Sequence, residues 1–141
     1  MTAPVVRNIV VDCHDPVALA TFWAAVLGWQ IEPIDAATRA RLTQERGIDA
    51  ATERITLAGP PGEPRLYFQR VDDPTPGKNR LHLDLEVDDA EAEVARLLPL
   101  GAREPVRMTE KLGGVEERWI VLSDPEGNVF CLQSAGSPQL P

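Results

Sequence analysis

Apolar and polar residues alternate from Val5 to Cys13, with Asn8, Val10 and Asp12 on one side and Ile9, Val11 and Cys13 on the other. Period-two alternation predicts a strand with one covered face. The period then changes. Leu19, Phe22, Trp23 and Val26 recur at helical spacing behind Asp15-Pro16, a side-chain cap followed by a proline at the first helical position, and Gly28 supplies the stop. The expectation is a helix lying on a sheet. Trp29 to Ile34 reads as a second strand, and the polar stretch Asp35 to Glu53 as a solvated loop or lid with a weak helical pattern over Ala37 to Gln44. Arg54 to Leu57 and Arg65 to Val71 complete the set as strands around the turn-forming run 59–64. In the second of these, Leu66 and Phe68 share the apolar face, while Tyr67 and Gln69 share the other.

The same order then recurs. His82, Asp84 and Glu86 alternate with Leu83, Leu85 and Val87, and Asp88 or Asp89 caps a helix whose Glu91 has capping-box spacing from Asp88. Val94, Leu97 and Leu98 form its stripe, and Pro99 with Gly101 ends it. Strands near Ala102 to Met108 and Arg118 to Leu122 follow, separated by Gly113-Gly114. Asp124-Pro125-Glu126-Gly127-Asn128 predicts a tight turn into a last strand, Val129 to Gln133. Asn8 matches His82 at an offset of 74 (82 − 8), and Leu27-Gly28 matches Leu100-Gly101 at 73 (100 − 27). The chain therefore reads as a duplicated strand-helix-strand-strand-strand unit of α+β class. The expected layout is a single domain over 1–141, with module 1 at about 4–71, a Pro/Gly connector at 72–78, module 2 at about 79–134 and a tail at 135–141. Two such modules, each sheet covered on one face by its own helix, are expected to form a curved mixed sheet around a partly polar central cleft, with helices outside.

Charge narrows the partners. The 141 residues carry 14 Lys and Arg against 22 Asp and Glu, a formal net charge of −8, which argues against binding a phosphate backbone and hence nucleic acid. No apolar run approaches the roughly 20 residues of a membrane helix, and the N-terminal residues lack a secretory pattern, so the expectation is a cytoplasmic protein without a membrane partner. Cys13 and Cys131 have neither zinc-knuckle nor disulfide-framework spacing and are expected to be reduced thiols.

The chain resembles the vicinal oxygen chelate superfamily, the glyoxalase and bleomycin-resistance fold, in its glyoxalase-like domain branch. The residues that carry the resemblance are Asp15-Pro16 through Leu27-Gly28-Trp29, His82 through Asp89, and Asp124 through Cys131, with Phe22-Trp23, Leu66 to Gln69 and Lys78 to Arg80. The resemblance implies two βαβββ modules and frequent pairing into homodimers. It also implies a divalent metal held by His and Glu on the first and last strand of each module. Those positions fall here on Asn8, on Tyr67 or Gln69, on His82 and on Cys131, and His82 alone keeps its usual identity. A neutral amide oxygen is a poor donor for Mn-, Fe-, Ni- or Zn-type ions. A standard metal site is accordingly not expected, and any site present would draw on His82, Cys131, Gln69 and Asn8.

Candidate chemistry centres on His82 and Asp84 as an acid-base pair, read against the blander alternatives of a hydrogen-bonding pocket histidine and a structural charge network. Asn8, Tyr67, Gln69, Arg80, His82, Trp119 and Cys131 are the candidate ligand-pocket residues. The run Asp12-Cys13-His14-Asp15 is discounted as a metal cluster, because strand neighbours point to opposite faces and Asp15 serves the helix cap. The leading functional expectation is a small-molecule binder. Its alternatives are a metal-dependent lyase, isomerase or dioxygenase of this superfamily, and a resistance protein that sequesters a cationic drug.

Overall fold

The computed structural model describes residues 8–72, 82–112 and 114–138. The expected strand start at 5–7, most of the connector, Arg80, Gly113 and the end of the tail lie outside them. The chain divides into two compact units, Met1–Pro76 and Gly77–Pro141.

In the first unit, β1 (Asn8–Cys13) leads into α1 (Pro16–Leu27) through a cap read directly from the sequence: Asp15 Oδ1 accepts the Ala18 N–H at 3.0 Å. Gly28 closes the helix at φ 67°, a left-handed turn that glycine adopts without steric penalty. The stripe is buried as the spacing predicts, with Leu19, Phe22 and Trp23 inside and the Phe22 and Trp23 rings meeting edge to face at 5.5 Å. β2 is only Gln30–Ile31, shorter than the expected strand. The Glu32 N–H still reaches the Thr56 carbonyl at 2.9 Å, but Pro33 has no N–H with which to continue. The polar insert, expected as a solvated loop or lid with a weak helical pattern over Ala37 to Gln44, contains α2 (Ala36–Arg46). This helix buries no residue and is instead capped at both ends, by Asp35 on the Thr38 N–H and by Gly47.

β3 (Arg54–Ala58) and β4 (Arg65–Arg70) complete a mixed sheet of order β1-β4-β3-β2, in which β1 and β4 run parallel. Gly59, just past β3, cannot be replaced without moving a neighbour: a Cβ there would lie 2.3 Å from the Trp29 ring.

The second unit repeats the order as β5 (Leu83–Val87), α3 (Ala90–Leu97), β6 (Arg103–Leu112), β7 (Val115–Ser123) and β8 (Val129–Ser134). Its sheet order, β5-β8-β7-β6 with β5 parallel to β8, is that of the first. Asp89, not Asp88, caps α3, accepting the Glu91 and Ala92 N–H groups at 3.0 and 3.2 Å. The expected capping box does not close, because the Glu91 carboxylate pairs with Arg107 on β6, each hydrogen bond 2.6 Å long. Pro99 sits within a short 3-10 turn, Leu98–Leu100, that extends α3 before Gly101.

β6 and β7 run well beyond the strands expected at 102–108 and 118–122. Their outer halves are polar and show no apolar alternation, yet they pair across the ladder, Thr109 with Arg118 and Lys111 with Glu116. The Lys111 ammonium lies 3.4 Å from the Glu116 carboxylate. The architecture is therefore α+β, two βαβββ modules, each with its own four-stranded mixed sheet.

Candidate functional site

Alternation along β5 turns Leu83, Leu85 and Val87 inward and leaves Asp84 and Glu86 exposed, with exposed His82 immediately before the strand. The parallel register then decides what Asp84 meets, because Asp84 pairs with Cys131 and Glu86 with Gln133 on β8. Residues paired this way project to the same face. His82 Nε2 stands 3.3 Å from Asp84 Oδ1, and Cys131 also hydrogen-bonds to the Asp84 carboxylate. One donor atom from each of His82, Asp84 and Cys131 lies within 4.8 Å of the others, the one such His/Cys/Asp/Glu trio among the described residues. Farther along the same sheet, Gln133 Nε2 donates to Glu117 Oε1 at 2.5 Å.

Two exposed groups and one buried group make up this trio. Cys131 is 8% exposed, and burial, followed by the field of Asp84 and its hydrogen bond, pushes its thiol up to about 11. At neutral pH the thiol of the metal-free protein is protonated and a poor nucleophile. Since the folded-state value lies above that of an ordinary thiol, folding favours the protonated form, and that contribution is lost as pH rises through about 11. In the metal-free folded protein, alkylation of Cys131 by iodoacetamide is expected to be slow at mildly alkaline pH and to keep accelerating toward pH 11. The midpoint is expected to fall in Asp84→Asn. A rate that levels off near pH 9 would contradict this environment.

Imidazole nitrogen, carboxylate oxygen and thiol sulfur are all ligand types of Zn²⁺, and three protein donors with a free fourth position form the usual catalytic arrangement of that ion. The donor set of His82, Asp84 and Cys131 thus fits a borderline divalent metal, which would have to displace the Cys131 proton. Without metal, the Asp84 carboxylate orients both neighbours, and exposed His82 can exchange a proton with a bound molecule.

The first module shows what the duplication has changed. Asn8 pairs with Arg65, Val10 with Tyr67 and Asp12 with Gln69 along β1 and β4. Val10 stands two residues after Asn8, as Asp84 stands two after His82, so its partner Tyr67 is the counterpart of Cys131. Of the two residues the sequence left open, Tyr67 therefore holds the equivalent place, and Val10 offers no donor atom. Asn8 Oδ1 accepts from Arg65 Nε at 3.2 Å, and Gln69 Nε2 donates to Asp12 Oδ1 at 2.7 Å. Cys13 is buried and donates to the Gln69 carbonyl, while Asp15 caps α1; the 12–15 run does not converge on a common point.

Each module has a pocket lined by candidate residues. In the first module, Tyr67 and Gln69 line one of about 430 Å³ together with Arg54, whose guanidinium carbon lies 4.7 Å from the Tyr67 ring centroid. Arg54 carried no motif and was not singled out from the sequence; only pairing of β3 with β4 brings it onto Tyr67. In the second module, Trp119 borders a pocket of about 330 Å³ with Met108, Arg107, Arg118 and Ser134. Arg80 lies outside the described residues.

Two βαβββ modules of identical strand order define the vicinal oxygen chelate fold. The family model of the glyoxalase-like domain matches residues 8–133, and the chain belongs to that family. Among solved structures, it is similar to a glyoxalase/bleomycin resistance protein/dioxygenase family enzyme from Burkholderia phytofirmans PsJN. That match has 19% identity over 92% of this chain and 97% of the other, with a TM-score of 0.65. A glyoxalase-related enzyme from Fulvimarina pelagi matches at 17% identity over 90% and 85% of the two chains, with a TM-score of 0.60. The bleomycin-binding protein of bleomycin-producing Streptomyces verticillus, complexed with copper(II)-bleomycin, matches at 16% identity over 96% and 99%, with a TM-score of 0.52. At these identities the likeness is one of fold. The comparison with curated proteins found no match. No helix among the described residues is long and apolar enough to cross a membrane.

Proposed function

We propose that this protein binds a small organic molecule against the polar sheet face of its second module, where His82 and Asp84 supply hydrogen bonds and proton exchange. The convergence of His82, Asp84 and Cys131 carries this reading. Asp84 and Glu86 leave that face rich in exposed carboxylates, which favours a ligand with a cationic group and suits a drug-sequestering role. Two free cysteines suit a cytoplasmic setting.

The same three side chains support a second reading, in which His82, Asp84 and Cys131 hold a divalent ion. When bound, such an ion would supply Lewis-acid polarisation of a ligand oxygen. Calorimetric titration of chelator-treated protein with Zn²⁺, Ni²⁺, Mn²⁺ and anaerobic Fe²⁺ separates the two readings. The metal-free reading expects no tight one-to-one binding. It also expects fragments with a cationic group to shift the NMR signals of His82, Asp84 and Cys131, and the shifts to disappear in Asp84→Asn. Stoichiometric binding that falls by about 100-fold or more in both His82→Ala and Cys131→Ser would reject it in favour of the metal reading. Fragment shifts confined to other surfaces would reject the proposed site.

A further inference from the structure

We propose that the first module carries an anion-recognition site, in which Arg54 receives the carboxylate or phosphate of a small organic ligand. All of the residues concerned lie in the first unit, so the inference does not depend on the trio of the second. In the register of β3 with β4, Arg54 pairs with Gln69 and Thr56 with Tyr67, which puts Arg54 on the Tyr67 face one diagonal step away. The guanidinium rests over the phenol ring, 4.7 Å from its centroid. Such a contact fixes the plane of the guanidinium and leaves its N–H edge free to meet an oxyanion as a fork.

Most of the described arginines are ion-paired. Arg39, Arg41, Arg65, Arg96, Arg107 and Arg118 each lie within ion-pair distance of a carboxylate. Among the described residues, Arg54 has no such partner, and neither does Arg70, which lines the same pocket. Arg46 and Arg103 also lack one, but Arg54 and Arg70 are the two that line this pocket. The pocket does include Glu53 and Asp72, but Glu53 Oε2 is engaged by the Asp49 N–H at 2.9 Å. Ile48 and Val71 provide apolar wall, and the volume of about 430 Å³ falls within the ordinary range for small-molecule sites. A charged fork, an aromatic floor and an apolar wall suit a planar or short organic acid, or a phosphate monoester with an apolar body.

The test is a two-dimensional NMR titration of the full chain, read at the Arg54 Nε–H and the Tyr67 ring, with benzoate, phenyl phosphate and neutral benzamide as probes. Both signals are expected to move with at least one anion and not with benzamide, and the anion that binds more tightly identifies the oxyanion class. Arg54→Gln, with its remaining spectrum superimposable on that of the parent, is expected to weaken binding by about ten-fold or more. Should that variant fail to fold, Arg54→Lys, which keeps charge but loses the fork, and Arg70→Gln carry the test and are expected to bind more weakly than the parent. Equal binding of benzamide, unchanged affinity in the arginine variants, or unmoved Arg54 and Tyr67 signals at millimolar anion would overturn the proposal.

Discussion

Phe130→Ala is expected to destabilise the fold by about 3–5 kcal/mol, a large share of the roughly 5–15 kcal/mol that stabilises an ordinary domain. Phe130 is fully buried on β8, paired with Leu83 on β5 and with Leu122 on β7. It lies in the strand that holds the parallel β5 and antiparallel β7 together, and α3 packs against the same strand. Truncation removes a benzyl group from an interior whose neighbours are fixed by ladder hydrogen bonds, so the void cannot close easily. Urea unfolding followed by circular dichroism measures the loss. Leu100→Ala, at a residue 43% exposed, provides the surface control and is expected to change stability by less than about 1 kcal/mol. A similarly small loss for Phe130→Ala would mean that β8 is not the packed centre of the second sheet. Because Cys131 follows Phe130 directly, the variant should also disturb the thiol's environment and speed its alkylation.

Asp124→Ala is expected to cost about 2–4 kcal/mol, although it removes no apolar surface. Asp124 is 1% exposed, the one buried charged or polar residue of the described core. Its Oδ1 accepts the Glu126 and Asn128 N–H groups, each at 2.9 Å, and its Oδ2 accepts Asn128 Nδ2 at 2.8 Å. Those bonds fold the connection between β7 and β8 and so fix the register that pairs Val121 with Cys131. Alanine would leave three donors without their acceptor in a partly buried turn. Asp124→Asn retains an acceptor oxygen and should recover part of the loss, which thermal melts of the two variants would reveal. Equal melting temperatures for Asp124→Ala and the parent would show that the turn is held by Gly127 and the backbone alone.

Much of this fold was legible before any coordinates. Helix caps and tight turns are local, since the side chain that satisfies a backbone group lies within a few residues of it. Asp15 with Gly28, the Asp88-Asp89 start of α3 and the Asp124 turn could therefore be read from short stretches. Strand faces were legible for a similar reason, because a period of two assigns alternate residues to opposite sides. The duplication followed from matching those local signatures at a constant offset. Where the polar outer halves of β6 and β7 gave no alternation, the strands were underestimated, because antiparallel ladder pairing and not burial holds them. The helix α2 was underestimated for a related reason: it has caps but no buried face.

The sequence by itself determined the α+β class, the two βαβββ modules, and that His82, Asp84 and Glu86 share one side of a strand. It also placed Tyr67 and Gln69 together on another. Only the tertiary structure decided that Asp84 stands opposite Cys131, that Tyr67 rather than Gln69 is the counterpart of that cysteine, and that Arg54 lies over Tyr67. The physical reason is register. Alternation tells which face a side chain occupies, but the neighbour it meets there depends on how two distant strands slide along each other before their hydrogen bonds lock. That choice is settled by the packing of the whole sheet against its helix, and no short stretch of the chain contains it.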